Sequence, residues 1–239
     1  MNENVLAISW QGLAIASIPT IIVLAIMWRW AAGVGTAFYA NVRMLIQLLM
    51  IGYVLVYIFE AGEPTIVVGV LAVMLVAASW IAIRPLGKQS RRAYRHAFIS
   101  ISVSGVFVLA LVSQGVIGID PWFSPRYLIP LAGMIFSSAM NTVSLAGERA
   151  YAEASRKVSF AETRRIAMQA ALIPMVNSLF AVGLVALPGM MTGQILSGVS
   201  PVVAAKYQIV VMLMLFGVTG ISAAMFLQLE RRHLREIAK

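Results

Sequence analysis

Between two long apolar runs the chain carries Met190, Met191, Thr192 and Gln194, followed by Ser197 and Ser200. Thioethers, hydroxyls and a carboxamide this close together can hold a cation or a hydrogen-bonding ligand inside a membrane. The same stretch, residues 187–201, holds two prolines and three glycines: Pro188, Pro201, Gly189, Gly193 and Gly198. Proline removes a backbone donor and glycine lowers helix propensity, so the pattern argues against an ordinary lipid-facing helix here. Broken backbone at membrane depth is tolerated only where protein or a water-filled cavity surrounds it. Two readings follow. In one, Met190, Met191, Thr192 and Gln194 line a translocation pathway near the outer half of the membrane. Gly189 and Gly193, in small-xxx-small spacing, then allow close approach between helices or across a dimer. In the other, the stretch is a surface loop in which Ser200 caps a helix that Pro201 begins.

The elements that must position this stretch are membrane spans. The chain has 239 residues, 61% hydrophobic and 11% charged, with mean hydropathy +0.89. A soluble domain is about 25% charged, so an all-α polytopic membrane protein is expected, with residues 1–239 as a single transmembrane domain. A span needs about 20 apolar residues. Seven such segments are predicted: 5–28, 37–59, 65–83, 97–119, 126–145, 170–187 and 207–229. The first residues carry only Glu3. A signal peptide would open on basic residues, so the first segment is read as a retained span. There is no cysteine.

The long polar segment, residues 147–169, is read as a cytoplasmic loop. A helix continues from the fifth span to about Lys157, a turn follows, and a new helix starts at Phe160. Ser159 and Glu162 form a capping box at that start. Tyr151, Ala154 and Val158 fall at helical spacing and, with Phe160, give a small apolar stripe. That stripe either docks a partner or packs back on its own bundle.

Net charge is +9. In a soluble protein this would suggest nucleic acid. Here no nucleic-acid partner is expected, because the basic residues sort by side. With seven spans, 16 of the 18 Lys and Arg fall in one set of loops, and only Arg126 and Lys206 in the other. The excess of basic residues in cytoplasmic loops then puts the N-terminus outside and the C-terminus in the cytoplasm.

No P-loop, catalytic triad or cluster of His and carboxylates stands out, and no Asp or Glu lies inside a span. His96 and His233 flank basic loops and are read as solvated. Arg43 either snorkels to the interface or faces the bundle together with Gln47, one turn on. Ser137, Ser138 and Asn141 in the fifth span, and Asn177 and Ser178 in the sixth, are interhelical hydrogen bonders or ligands. Fourteen methionines, among them Met134, Met140, Met190 and Met191, fill irregular packing unless they cluster, when they would suit a soft cation.

Several segments together resemble one family, the FetB-type membrane permeases of iron-export ABC transporters, related to plant aluminium-tolerance membrane proteins. They are Arg43-Met44-Leu45-Ile46-Gln47-Leu48, Ile129-Pro130-Leu131-Ala132-Gly133-Met134, Val143-Ser144-Leu145 with Glu148-Arg149, and Ile173-Pro174 with Asn177-Ser178. The longest runs from Gly183 through Leu187-Pro188-Gly189-Met190-Met191-Thr192-Gly193-Gln194 to Leu196, and Tyr207-Gln208-Ile209 follows it. The resemblance covers about residue 40 to the C-terminus. It implies the permease subunit of an ABC transporter, multi-pass in the cell (inner) membrane among its lipids, and a homodimer of the permease. ATP is then bound and hydrolysed on a separate ATPase subunit. No cofactor belongs to this chain, which is not itself an enzyme. The ATPase would couple through residues 147–169 at Tyr151, Ala154, Val158 and Phe160. The substrate pathway would run past Met190, Met191, Thr192, Gln194, Arg43, Gln47, Asn141 and Asn177. One departure stands out: where the family has a Gly-Ala pair before the capping serine, this chain has Lys157-Val158. The resemblance implies export of a metal ion, iron-like, or of a small metal complex. Iron prefers harder ligands than thioethers and amides offer. The alternatives are an ATPase-independent transporter or channel on the same scaffold, and a scaffold or sensor without transport.

Overall fold

A computed structural model describes residues 8–87 and 91–239. Residues 5–7 of the first expected span and Lys88 of the basic loop lie outside them. The described residues are helical, with no strand, and the chain divides into two compact units, 1–61 and 62–239.

The first unit holds α1 (Trp10–Ala16), α2 (Ile18–Arg29) and α3 (Val34–Ala61). The first expected span is broken at Ser17. Pro19 has no N–H to donate back across that point, so a new helix starts after it. None of the residues of α1 and α2 is buried. Apolar side chains left outside in this way are what a lipid environment accepts.

The second unit holds α4 (Pro64–Ala82), α5 (Arg91–Ala110), α6 (Pro125–Ser155), α7 (Phe160–Ala181), α8 (Gly189–Leu196), α9 (Pro201–Leu229) and α10 (Arg231–Ile237). A π-helical segment, Leu111–Ile117, extends α5. The central element is α6, which packs on α4, α5, α7 and α9. Its buried face is built from small residues, Ala132, Ala139, Ala146, Ala150 and Ala154, so neighbouring helices come close. Two glycines are required for this approach. A Cβ on Gly105 would stand 2.7 Å from the Phe136 ring, and one on Gly147 would stand 2.8 Å from Leu86 and 3.1 Å from Phe226.

Among the described residues six helical stretches are long and apolar enough to cross a membrane. The expected span 170–187 is not among them. Its helix, α7, opens on Glu162, Arg164 and Arg165 and stops at Ala181. Its apolar part, residues 170–181, is about 18 Å long at 1.5 Å per residue, short of the roughly 30 Å of hydrocarbon. The chain then turns tightly. Gly183 takes φ +82°, its N–H reaches the Ala186 carbonyl, and Leu184 and Val185 are exposed at the tip. Pro188 then starts α8.

The polar segment has the expected break. The end of α6 is closed by two backbone bonds, from Val158 N–H to Glu153 C=O (3.3 Å) and from Lys157 N–H to Ala154 C=O (2.9 Å). This is a Schellman cap, in which the residue after the C-cap is left-handed and usually glycine. Here it is Lys157, at φ +63°. Lys157, noted above as a departure from the family that the sequence resembles, thus occupies the position that favours glycine-like backbone. A left-handed L-residue costs about 1–2 kcal/mol, so Lys157→Gly, which also loosens the unfolded chain, is expected to stabilise the protein by about 1 kcal/mol. A thermal midpoint in detergent a few degrees higher would bear this out; a lower midpoint would not. On the far side of the turn the Ser159 hydroxyl accepts the Glu162 N–H, as a capping box requires. The Glu162 side chain binds Arg165 instead of reaching back.

Candidate functional site

The break between α7 and α9 opens onto a cavity of about 540 Å³. Its walls come from α6, α7, α8 and α9. It spans the middle of the two longest helices: residues 134–145 of α6 and 208–219 of α9 line it. On the broken side Pro174 and Ser178 of α7 and Pro188, Gly189 and Met190 at the start of α8 complete the wall. Because α7 stops at Ala181 and Pro188 fixes the entry of α8, this wall consists of helix ends and not of a continuous helix.

Among the described residues no ionisable side chain lines the cavity. Four thioethers do: Met134, Met175, Met190 and Met212, one from each helix. Three hydroxyls are spent within their own helices: Thr142 donates to Ser138 C=O, Ser178 to Pro174 C=O and Thr219 to Phe216 C=O, each at 2.9 Å. Two amides are not spent. Gln208 is only 5% exposed, and its Oε1 takes no hydrogen bond. Asn141 makes none with the described residues. A buried polar atom without a partner is uncommon in a native interior and is expected to have one in the working state.

The residues singled out from sequence separate by place. Met134, Ser138, Asn141, Ser178, Gly189 and Met190 line the cavity. Met191, Thr192, Gln194 and Asn177 do not. The Thr192 hydroxyl donates to Pro188 C=O at 3.2 Å, and the Gln194 Oε1 is buried without a partner. None of the described residues stands within 4 Å of a Cβ on Gly189 or Gly193, so no close packing among them accounts for these glycines. Ser200 accepts the Val203 N–H and Pro201 opens α9, the capping arrangement expected at that end. Arg43 and Gln47 belong to the other unit and pair with each other: with the Gln47 amide turned oxygen-first, it accepts from Arg43 Nε at 3.1 Å.

The apolar stripe Tyr151, Ala154, Val158 and Phe160 largely turns inward. Ala154 is 1% exposed in a core cluster with Ala150, Ala167 and Leu227, and Tyr151 and Phe160 pack against it. Val158 is half-buried beside the exposed Arg156 and Lys157. The guanidinium groups of Arg164, Arg231 and Arg235 stand 5.6–5.9 Å from the Phe160 ring.

His96 is not solvated, contrary to expectation. Its Nδ1 lies 2.7 Å from Oε1 of Glu230, which is fully buried. The Tyr151 hydroxyl donates to the other oxygen at 2.8 Å, and Arg92 Nε stands 3.7 Å from it. His233 is half-buried, its ring 5.7 Å from that of Tyr151. The Glu230 network ties the start of α5, the end of α6 and the junction of α9 with α10 to one end of the bundle. Because α9 has 29 residues, its start lies at the opposite end. Since α7 follows α6 after a short turn, α7, its turn and α8 together carry the chain across. Met175, Met212 and Glu230 escaped the sequence reading, and Gln208 entered it only through the Tyr207-Gln208-Ile209 segment of the resemblance, with no role assigned.

Comparison with known proteins agrees with the resemblance. The model of the family described as Uncharacterised protein family (UPF0014) matches residues 10–163 and 154–234. The UPF0014 membrane protein slr1647 of Synechocystis sp. is 36% identical over 205 residues, covering 80% of this chain and 79% of its own. The probable iron export permease protein FetB of Escherichia coli is 37% identical over 196 residues, covering 75% of this chain and 74% of its own. Protein ALUMINUM SENSITIVE 3 of Arabidopsis thaliana is 27% identical over 227 residues, covering 87% of this chain and 81% of its own. No solved structure matches the chain.

Proposed function

The chain belongs to the UPF0014 family of membrane proteins, and from that premise we propose that it is the membrane-spanning subunit of an ATP-driven transporter. It moves a metal ion or small metal complex outward, and a separate ATPase subunit supplies the energy. The observation that carries the reading is the cavity. It sits at the middle of the bundle, is walled on one side by broken helix ends, and holds unspent amides. Discontinuous helices around a central site are how many transporters build a substrate site. The named cargo comes from the relative called a probable iron export permease.

The proposed orientation has the C-terminus and the α6–α7 turn in the cytoplasm and the N-terminus outside. It is supported by the basic residues of α5, α6, α7 and α10, whose segments converge on the Glu230 end of the bundle. Arg126 and Lys206 stand near the starts of α6 and α9, toward the other end. The ATPase docks on that cytoplasmic end, at Val158 and the exposed turn beside it. Ala154 contributes from beneath as core. The functional membrane unit is a dimer, in an inner membrane.

The test is ATP hydrolysis by the co-purified complex in vesicles. Iron-dependent stimulation of hydrolysis is expected. Flux of the cargo without ATP would favour a channel on the same scaffold. Val158→Glu is expected to abolish co-purification with the ATPase while the chain remains in the membrane. Ala154→Glu is no substitute test, because it places a charge in the core. Undiminished co-purification of the Val158 variant would move the docking surface elsewhere.

A further inference from the structure

The same cavity constrains the form in which the cargo travels. Resting on the transport reading above, we propose that the cavity receives its cargo as an uncharged, ligand-wrapped species with an organic surface, and not as a bare metal cation.

Charge is the first argument. No Asp, Glu, His, Lys or Arg lines the cavity, and among the described residues no group of three or more His, Cys, Asp or Glu could hold a metal ion. An ion stripped of water in an apolar medium loses tens of kcal/mol of solvation. Neutral amides and thioethers offer no opposing charge to recover it.

Size is the second. At about 30 Å³ of liquid volume per water, 540 Å³ equals the space of about eighteen waters. A bare ion with its inner ligands fills a small part of that. Pockets for small organic molecules run from about 300 to 1,000 Å³.

The third argument is the kind of contact offered. Met134, Met175, Met190 and Met212 come from four different helices around the space. Methionine is flexible and polarisable, and adapts to irregular apolar surfaces. The unpartnered Oε1 of the 5%-exposed Gln208 and the free amide of Asn141 supply directional hydrogen bonds. Gly189 and Met190 bring first-turn N–H groups of α8 to the wall, donors that the helix itself leaves unpaired. The N–H donors of Asn141, Gly189 and Met190 suit the outward oxygens of a chelate, and Gln208 Oε1, an acceptor, suits a hydroxyl or N–H on the same ligand. A soft cation held by sulfur alone would leave all of them idle.

The experiment is calorimetric titration of the full chain in lipid nanodiscs. The probes are neutral tris(maltolato)iron(III), free maltol, ferrous sulfate and silver nitrate. Saturable binding of one iron chelate per chain is expected, with no comparable binding of either bare cation. Gln208→Leu and Asn141→Leu should each weaken chelate binding at least tenfold. Asn141 is exposed, so its variant is expected to fold even if the Gln208 variant does not. Failure of the chelate to bind overturns the proposal. So does binding of silver or ferrous ion that is lost in Met175→Leu or Met212→Leu. Either result leaves the ATP-driven reading standing. ATP-independent flux of the bound chelate would instead remove that reading and keep the cavity as its site.

Discussion

Glu230→Leu is expected to destabilise the protein by about 3–5 kcal/mol, the usual cost of breaking a buried charged network by removing one partner. The carboxylate is fully buried and accepts from two side chains of other helices, His96 at 2.7 Å and Tyr151 at 2.8 Å. Hydrogen bonds to a charged group contribute about 1.5–3 kcal/mol each, and both donors would be left unsatisfied in a closed interior. Arg92 adds less, because it is 3.7 Å away and 38% exposed. Unfolding in detergent should therefore occur at a much lower denaturant concentration, with α5 and α10 losing protection from hydrogen exchange first. Glu230→Gln keeps the shape and one acceptor, and should cost less than half as much. Glu236 is the control. It is a carboxylate of α10, six residues beyond Glu230, but is half exposed and pairs with Arg232 on the surface, so Glu236→Ala should stay within about 0.5 kcal/mol. Equal effects at Glu230 and Glu236 would sink the account.

That network also marks where the sequence stopped being informative. Composition and apolar length are properties of a single segment, and they identified the membrane class and the helices α3, α4, α5, α6 and α9. The end of α6 near Lys157, the restart at Phe160 and the cap at Ser200 were legible for the same reason, since each is a bond between neighbours three to five residues apart. His96 and Glu230 are 134 residues apart in the chain, and Tyr151 and Glu230 are 79. No local pattern reports such a meeting, so His96 read as one more polar residue beside a basic loop. The cavity was half legible. Two prolines advertised the break, and Met190 and Asn141 do line the space. The side that faces it depends on how α8 is rotated, which periodicity cannot fix over eight residues. Hence Thr192 and Gln194, the most polar residues of the stretch, lie outside the lining, while Gln208 on α9 and Met175 on α7 are inside it.

Ser178→Trp is expected to abolish transport, with cargo-stimulated ATP hydrolysis falling at least a hundredfold while folding and ATPase assembly persist. Ser178 lines the cavity from α7, is exposed, and uses its hydroxyl only on the Pro174 carbonyl of its own helix. Losing that bond costs about 1 kcal/mol, within the tolerance of a stable bundle. The indole, in contrast, projects into a space of about 540 Å³ that the cargo must share, facing Asn141 and Gln208. Phe180→Trp separates occlusion from mere bulk. Phe180 is 77% exposed, lies two residues on and is not part of the lining, so its variant should transport normally. A Ser178 variant that transports as well as the Phe180 one would show that the cavity is not on the path. The double variant Thr192→Val with Gln194→Leu then decides between the remaining faces. Neither side chain lines the cavity, and the Thr192 hydroxyl is already bound to Pro188. Little change in transport is expected. If transport is lost in the α8 double variant and kept in Ser178→Trp, the pathway runs along the face of α8 that carries Thr192 and Gln194, outside the cavity lining.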